Sequence, residues 1–137
     1  MRPATWQRLE ALRIDPFYYS FRWVTLLFSQ EFQLFETLRL WESILAAEDR
    51  TRYVNAFALA LILASSARIA TGDYGEIMSH LKAISEHVDL EETILEANRH
   101  YERIDIKEAC LLAEKNRKKL EREQQGSRLF KFFKSIF

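Results

Sequence analysis

The feature that most constrains the fold is the segment from Phe17 to Phe32, the densest run of aromatic and aliphatic residues in the chain. On a period of 3.6 residues, its polar members Arg22, Thr25 and Ser29 form one narrow stripe, and apolar side chains cover most of the remaining circumference. We therefore predict one central helix over residues 17–32. Because such a helix is apolar almost all round, other helices must wrap it.

The composition indicates an all-α domain. The 137 residues include only 3 glycines and 2 prolines, too few for a fold rich in turns. The length predicts one domain. The longest apolar stretch, residues 56–64, is far shorter than the ~20 residues that a membrane-spanning helix needs. We therefore predict a bundle of six or seven helices.

Three short motifs lie close together in the first third of the chain: Phe21-Arg22-Trp23, Ser29-Gln30-Glu31-Phe32 and Leu40-Trp41-Glu42. In this order they resemble the C-terminal half of a TBC domain, the all-helical module of Rab GTPase-activating proteins. The family pattern there is an Arg-Trp pair, a Ser-Arg/Gln-Glu-Phe box and a Leu-Trp-Asp box, so Glu42 is a departure from it. The resemblance runs from about Trp6 to Ile104 and implies a multi-helix bundle like the C-terminal subdomain of that domain.

We divide the chain into three parts on this basis. Residues 1–104 are predicted to be the C-terminal part of a TBC-like domain, because the apolar register shifts at Asp105. Residues 105–126 are predicted to form a charged additional helix, and residues 127–137 a basic aromatic tail. The formal net charge is zero, but from Glu114 onward eight Lys or Arg stand against three Glu, so this end carries about +5.

Helix boundaries follow from local signals. A short helix over residues 5–12 is expected to end before Pro16, because the residue that precedes a proline avoids the helical conformation. Residues 35–45 are predicted to be an amphipathic helix that docks on the central helix. The side chains expected on its buried face are Phe35, Leu38, Trp41 and Leu45.

The next helix is predicted over residues 52–70, with Asp49 or Thr51 as its N-cap and Gly72 at its end. Three later helix starts share an Asp with a Glu three residues on, which is the signature of a capping box. These pairs are Asp73 and Glu76, Asp89 and Glu92, and Asp105 and Glu108.

The resemblance implies a catalytic mechanism whose residues are absent from this chain. In the family, an arginine and a glutamine enter beside the nucleotide of a GTP-loaded Rab, and they belong to Ile-x-x-Asp-x-x-Arg and Tyr-x-Gln motifs of the N-terminal half. No Tyr here is followed two residues later by Gln, and the Asp49-to-Arg52 spacing has Ala46 in place of Ile. Because an arginine finger contributes on the order of 10³ to 10⁵ in rate, we assign no catalytic residue.

Arg22 is the most tempting alternative finger, because it lies in a motif on a mostly apolar helix. We expect it instead to pair with Glu31 or Glu42, since a lone buried charge is costly. Those carboxylates are then its partners and not an acid–base pair. Arg50 and Arg52 lie on a charged connector and are expected to be solvated.

No metal or cofactor site is predicted. Glu76 and His80, and Glu96 and His100, have helical i, i+4 spacing, but neither pair has a third ligand nearby, so surface pairing is expected. Cys110, the single cysteine, lies on an apolar stripe and is expected to be an inert thiol in a reducing, cytosolic setting. There is no glycine-rich phosphate loop.

The tail allows two interpretations. Its apolar side chains share a helical face with cations beside it, which fits binding to an anionic membrane or docking into a partner, but the same face could fold back onto the domain. The residues predicted for membrane contact are Arg128, Phe130, Lys131, Phe133, Lys134 and Phe137. Nucleic-acid binding is not expected, because acids interrupt the basic run and the whole chain is neutral.

Two functions fit these observations. The first is a Rab GTPase-activating protein, of which this chain holds the C-terminal scaffold half without the arginine and glutamine finger motifs. The alternative is a non-catalytic helical binding module for a small GTPase or a membrane surface. Both predict a cytoplasmic protein with peripheral contact to endomembranes. A TBC core is normally shared between two halves, so we also expect uncovered apolar faces, and hence low solubility or self-association.

Overall fold

The computed structural model describes residues 4–103. Within that range it contains seven α-helices, one short 3₁₀ turn and no strand, which confirms the all-α class. The elements are α1 (Ala4–Ala11), α2 (Phe17–Thr25), α3 (Leu34–Ala46), α4 (Arg50–Ala64), α5 (Ser66–Thr71), α6 (Tyr74–Lys82), the 3₁₀ turn Ile84–Glu86 and α7 (Leu90–Arg103). No helix in this part of the chain is long and apolar enough to cross a bilayer. The predictions for Asp105, Glu108, Cys110 and the tail lie outside the described residues.

Helices α4 and α7 form the most extensive helix pair of the described fold. Ala56 and Ala60 of α4 and Ala97 of α7 are fully buried, so small side chains let the two backbones approach closely. The pair is antiparallel, because Tyr53 near the start of α4 lies against Tyr101 near the end of α7, with ring centroids 5.6 Å apart. This pairing encloses much of the core.

The predicted single helix over residues 17–32 is wrong, because α2 ends at Thr25. Leu27 and Phe28 then take positive φ values of 47° and 62°, and the Phe28 N–H donates to the carbonyl oxygen of Trp23 at 2.8 Å. This is the reversal that a glycine usually makes after a helix. The fully buried Phe28 ring, 4.8 Å from the Phe57 ring, offsets the cost of placing non-glycine residues in this region.

The expectation that α2 is wrapped all round is also wrong. Tyr19 and Trp23 face the core, whereas Phe17 is 58% exposed and Phe21 is 54% exposed. Buried and exposed aromatic residues alternate along α2, so they lie on different faces of the helix. The hydrophobic character of α2 therefore exceeds what the described fold covers.

Helix α3 forms as predicted but buries a different face. Its buried residues are Thr37, Leu40 and Ile44, and Trp41 of the predicted face is half-buried. The other three predicted contacts are exposed, with Phe35 at 83%. The helix carries apolar residues on more than half of its circumference, so periodicity alone could not select the face. The exposed set, which we call the α3 strip, is Leu34, Phe35, Leu38 and Leu45.

The predicted helix over residues 52–70 is divided in two at Ser65. The Ser65 hydroxyl donates to the carbonyl oxygen of Leu61 at 3.0 Å, and α5 begins at the next residue. Helix α5 then ends at Thr71, directly before Gly72, as predicted. A Cβ there would lie 2.9 Å from the Arg68 carbonyl oxygen and 3.0 Å from Ile77, so this junction needs glycine for its close packing.

The capping signals that fall within the described residues are confirmed. Asp49 caps α4 by accepting from the Arg52 N–H at 2.9 Å, which decides between the two predicted caps. Asp73 and Glu76 form a reciprocal capping box at the start of α6. Asp89 accepts from the Glu92 N–H at 2.9 Å before α7. Local sequence therefore predicted these helix starts well.

Candidate functional site

The three sequence motifs meet around the turn of residues 26–33, between α2 and α3. The Arg22 guanidinium donates to both carboxylate oxygens of Glu31, from Nε at 2.6 Å and from Nη2 at 2.9 Å. The same Nη2 donates to the carbonyl oxygen of Lys82, at the end of α6, at 3.3 Å. We call this group of Arg22, Glu31 and the Lys82 carbonyl the arginine clamp. It ties α2 and the turn to α6.

The clamp is asymmetric in its exposure to solvent. The Glu31 side chain is 1% exposed, whereas the Arg22 side chain is 47% exposed. A carboxylate buried to that degree requires a charged, hydrogen-bonded partner, and the planar guanidinium supplies two parallel bonds. Arg22 is therefore the counter-ion of Glu31. The sequence had left Glu31 and Glu42 open as partners, and the structure selects Glu31.

The two motif tryptophans stabilise the turn in different ways, Trp23 by packing in the core and Trp41 by a hydrogen bond. Trp23 is fully buried between Tyr19, at a ring distance of 5.3 Å, and Phe28, at 6.4 Å. Trp41 of α3 donates its Nε1–H to the carbonyl oxygen of Leu27 at 2.8 Å. That bond fixes a residue with positive φ. The Leu-Trp box of the third motif thus stabilises the reversal that follows the first motif.

The remaining candidate residues are not brought into this group. Glu42 and Arg50 are exposed side chains elsewhere on the surface. The expectation that Arg52 is solvated is wrong, because its guanidinium carbon lies 4.8 Å from the centroid of the Tyr101 ring. This cation–π contact belongs to the α4–α7 pair. No described contact joins Glu31 and Glu42 as an acid–base pair.

The histidines take structural positions. The Ser65 hydroxyl proton is used toward Leu61, so His80 Nε2–H donates to Ser65 Oγ at 3.0 Å. The His80 ring stacks on His87 with centroids 4.4 Å apart. Burial, then His87 and Arg68, lower the pKa of His80 below its usual value. Within residues 4–103 no group of three or more metal-ligating side chains is assembled.

The predicted glutamate–histidine pairs have different outcomes. Glu76 binds Arg68 at 3.2 Å and the Asp73 N–H at 3.0 Å, so its contacts differ from the predicted pair with His80. Glu96 does lie 3.4 Å from His100 Nε2, as the i, i+4 spacing predicted. The Arg68–Glu76 pair joins α5 to α6 at the surface, and the Glu96–His100 pair lies within α7.

One apolar cavity lies beside the motif region. It has a volume of about 490 Å³ between α1, α2 and α4. Its walls include Trp6, Tyr19, Trp23, Leu59 and Ile62, and no ionisable group lines it other than the phenol of Tyr19. Burial, and then the charge of Asp15, raise the pKa of Tyr19 to about 12, so this phenol is neutral at physiological pH. The buried Trp23 Nε1–H has no acceptor among the described residues.

Sequence reasoning missed two of these contacts. The Trp41-to-Leu27 bond was not predicted, because it depends on a turn that was assigned to a helix. The Ser65–His80 contact joins the break between α4 and α5 to α6, and no local pattern marks it. The contacts around the turn link α2, the turn itself, α3 and α6, so they stabilise the fold. It offers no described pair of groups placed for proton transfer or for nucleophilic attack.

Comparison with known proteins identifies relatives of this region. A family model described as the Rab-GTPase-TBC domain matches residues 1–70, which is just over half of the chain. A TBC domain-containing protein of Schizosaccharomyces pombe is 53% identical over 47 residues, covering 34% of this chain and 8% of that protein. TBC1 domain family member 13 of Homo sapiens is 33% identical over 67 residues, covering 49% of this chain and 17% of that protein. No solved structure matches.

The chain thus spans less than a fifth of the length of either relative. The family match begins at residue 1 and ends at residue 70, close to the end of α5, whereas the sequence motifs had suggested a resemblance as far as Ile104. It includes all three motifs and the whole turn. The Lys82 carbonyl of the arginine clamp lies beyond it. The boundaries proposed at residues 104 and 126 stay predictions.

Proposed function

Because this chain belongs to the Rab-GTPase-TBC domain family, we propose that it is the C-terminal scaffold half of a Rab GTPase-activating domain and that it lacks the arginine and glutamine fingers. In this role it supports a catalytic half and helps to hold a GTP-loaded Rab during vesicle trafficking. We place this activity in the cytoplasm, at the surface of endomembranes. The arginine clamp is the observation that carries the proposal.

A catalytic arginine must be free to reach the nucleotide of its partner. Arg22 is instead bonded to Glu31 through two nitrogens and to the Lys82 carbonyl. Withdrawing it would leave a buried carboxylate without a counter-ion, and we expect this to cost about 2 kcal/mol, less than the roughly 3–5 kcal/mol of a fully buried pair because Arg22 is half exposed. This cost supports a scaffold role for the most conspicuous arginine in the motifs.

The uncovered aromatic residues of α2 support the idea of a shared core. Phe17 and Phe21 are more than half exposed although they belong to the densest run of aromatic and aliphatic residues in the chain. A contiguous apolar face of this kind is usually a site of contact with other protein. A second half of the domain would supply such contact.

The first test is single-turnover GTP hydrolysis by a panel of GTP-loaded Rab proteins, with and without the purified chain. We expect no acceleration by the chain alone. An acceleration of about a hundredfold or more would contradict the proposal, because it approaches the 10³ to 10⁵ that an arginine finger supplies. In that case Arg22, Arg50 and Arg52 would be replaced one at a time by Ala to identify the group responsible.

The second test is complementation. The N-terminal half of a TBC domain that carries an Ile-x-x-Asp-x-x-Arg motif, without the segment that corresponds to this chain, would be mixed with this chain. We expect the mixture to accelerate hydrolysis by at least about tenfold over that N-terminal half alone, and Glu31→Ala in this chain to reduce that gain by disrupting the clamp. The exposed variant Glu42→Ala is the control and should complement normally.

The alternative, a non-catalytic binding module, makes a different prediction for the same samples. It requires binding to a GTP-loaded Rab, or to anionic vesicles through the tail, without any complementation. The membrane contact through Arg128, Phe130, Lys131, Phe133, Lys134 and Phe137 stays a prediction, because those residues lie outside the described part of the chain. If neither binding nor complementation is found, the scaffold proposal fails as well.

A further inference from the structure

A groove with a volume of about 630 Å³ lies between the C-terminal part of α4 and helix α7. Helix α4 lines it with a stripe at spacings of three and four residues, made of Ala60, Leu63 and Ala64. Helix α7 lines it with a stripe at the same spacings, made of Glu92, Leu95, Glu96 and Arg99. Residues 87–89, which precede α7, also line it. We call this concavity the α4–α7 groove.

The apolar part of the groove is open to solvent. Ala64 is exposed and Leu63 is half-buried. Leu95 is 58% exposed, although it is one of the large apolar side chains of α7. The alanines of the α4 stripe are too short to fill the concavity that they share with Leu95. The groove therefore offers apolar contact to another molecule.

The α4–α7 groove suits a helix better than an extended peptide. Both stripes belong to helices, whose backbone N–H and C=O groups bond within the helix, so they present no row of free donors and acceptors to an extended strand. A helix satisfies its own backbone groups and needs only side-chain contacts. Its side chains at spacings of three and four residues can pack between those of α4 and α7.

The charged groups of the groove are mainly acidic. Its carboxylates are those of Asp89, Glu92 and Glu96, and Arg99 supplies one guanidinium. Three negative charges against one positive charge give a net charge of −2 when His87 is neutral. Arg99 already pairs with Glu96 at 2.8 Å, whereas no ion pair among the described residues uses the exposed Glu92 carboxylate. The groove therefore attracts cationic side chains and repels the phosphates of nucleic acids and anionic lipids.

From these observations we propose that the α4–α7 groove binds a basic amphipathic α-helix of a partner protein. The apolar side of that helix packs on Leu63 and Leu95, and its Lys or Arg side chains lie beside Asp89 and Glu92. Most of the lining lies after residue 70, where the family match ends. The proposal does not rest on the GTPase role, and no residue of α2 lines the groove.

A synthetic peptide serves as the probe. It has about 18 residues of Leu, Ala and Lys, with Leu on one helical side and Lys on the flanks, so it is long enough to form an isolated helix. Fluorescence anisotropy follows its binding to the full chain at about 50 mM salt, where exposed charges are weakly screened. We expect one-to-one binding with a dissociation constant on the order of 10 µM. A scrambled peptide keeps the charge but not the apolar side, and it should bind at least about tenfold more weakly.

The apolar contact is tested at Leu95. Leu95→Ser should raise the dissociation constant at least about tenfold, because it removes the exposed apolar side chain of the groove. Leu45→Ser is the matched control: Leu45 is 62% exposed on the α3 strip and does not line the groove, so the constant should stay within about twofold. Both side chains are exposed, so both variants should fold, and far-UV circular dichroism checks this.

The charge contact is tested at Glu92. Glu92→Gln should raise the dissociation constant about threefold at about 50 mM salt and by less at about 500 mM, because salt screens exposed charges. Glu102→Gln is the control, since it removes an exposed carboxylate from the same helix outside the groove lining. It should change the constant less than Glu92→Gln does.

Backbone amide resonances of the full chain locate the bound peptide. The signals of residues 60–64 and 87–99 should shift as the peptide is added, because these ranges line the groove. The signals of α1 should stay in place, since no residue of α1 lines it. At the same peptide concentration, the shifts should be smaller in Leu95→Ser.

Several outcomes would overturn the proposal. Equal binding of the scrambled peptide would show charge attraction without a specific groove. An equal or larger loss in Leu45→Ser would assign the contact to the α3 strip instead. Unchanged binding in Leu95→Ser and Glu92→Gln would place the peptide elsewhere. Absence of binding would also overturn it, including the case in which the basic residues of this chain after Glu114 already occupy the groove.

Discussion

The α4–α7 pair and the α2 region handle their hydrophobic residues in opposite ways. In the first, small side chains bring two helices together, and polar groups close one end: Tyr53 donates to Asn98 at 2.8 Å, and the Asp49 N–H donates to the Tyr101 hydroxyl at 3.1 Å. In the second, the arginine clamp buries the Glu31 carboxylate but leaves Arg22 half exposed. The aromatic rings of Phe17 and Phe21 are exposed to solvent. Among the described residues, the first region covers its apolar side chains and the second leaves several of them exposed.

The difference separates two roles of the hydrophobic and polar residues on α2. The arginine clamp and the bond from Trp41 to Leu27 are both made within residues 4–103, so the motifs stabilise the turn locally, although the Trp23 Nε1–H has no acceptor there. The outer face of α2 has no such internal partner in the described fold. Motif residues that stabilise a turn and hydrophobic residues that need a partner lie on the same helix.

The largest effect is expected at Phe57, where the two regions meet. Its ring lies 4.8 Å from Phe28 and 6.1 Å from Phe32, and it belongs to α4. Phe57→Ala should lower the free energy of unfolding by about 4 kcal/mol, because it removes a fully buried ring and leaves a cavity. Urea unfolding followed by tryptophan fluorescence and by circular dichroism checks this. If the two signals shift by different amounts, the regions do not unfold as one unit.

The next effect compares two arginine–glutamate pairs. Arg22→Met should lower the free energy of unfolding by about 2 kcal/mol, because it leaves the Glu31 carboxylate buried without a counter-ion. The loss is smaller than for a fully buried pair because Arg22 is half exposed. Arg39→Met is the matched control: Arg39 also binds a carboxylate on another element, Glu91 at 2.9 Å, but both partners are exposed, so the cost should be under about 1 kcal/mol.

A double variant sharpens this comparison. Adding Glu31→Gln to Arg22→Met removes the buried charge, so it should recover part of the lost unfolding free energy. Chemical denaturation of the wild type, the two single variants and the double variant gives the coupling energy between Arg22 and Glu31. Equal costs for the Arg22 and Arg39 substitutions would show that the burial of Glu31 has no energetic weight.

A smaller effect is expected at the start of α4, on the α4–α7 side. Asp49→Ala should lower the free energy of unfolding by about 1 kcal/mol, because the Arg52 N–H loses its acceptor. Asp49→Asn should retain most of the stability, since an amide oxygen can still cap. Thr51→Ala, at the rejected cap position, should change the free energy by under about 0.5 kcal/mol. A larger loss at Thr51 than at Asp49 would reassign the cap.

The smallest effect is a pH dependence at the junction of α4, α5 and α6. The pKa of His80 is lowered by burial, by His87 and by Arg68, which itself pairs with Glu76. Its folded pKa is below the unfolded value of about 6.5, so the unfolded chain takes up the proton first as the pH falls. The stabilisation is therefore complete above about pH 6.5 and decreases below it. The free energy of unfolding of the wild-type protein should therefore be lower at about pH 5.5 than at about pH 7.5, and His80→Gln should make this difference smaller. If the difference is the same in both proteins, other groups cause the pH dependence.

The amino-acid sequence by itself determined the elements that rest on local energies. The helix starts at Asp49, Asp73 and Asp89 were predicted from capping, and the helix end at Gly72 from its stop signal, whereas the close approach of Arg68 and Ile77 to Gly72 was seen only in the structure. The all-α class followed from composition and periodicity. The motifs indicated the family, and they reduced the partners of Arg22 to two carboxylates.

Only the tertiary structure decided the rest. The reversal at Leu27 and Phe28 exists because the Phe28 ring packs on Phe57, and the break at Ser65 is held by a bond from His80; each depends on residues distant in sequence. Periodicity could not choose the buried face of α3 or α2, because both carry apolar residues on several sides. Capping energies are set within one helical turn, whereas the choice of a buried face depends on the surface that is available to cover it.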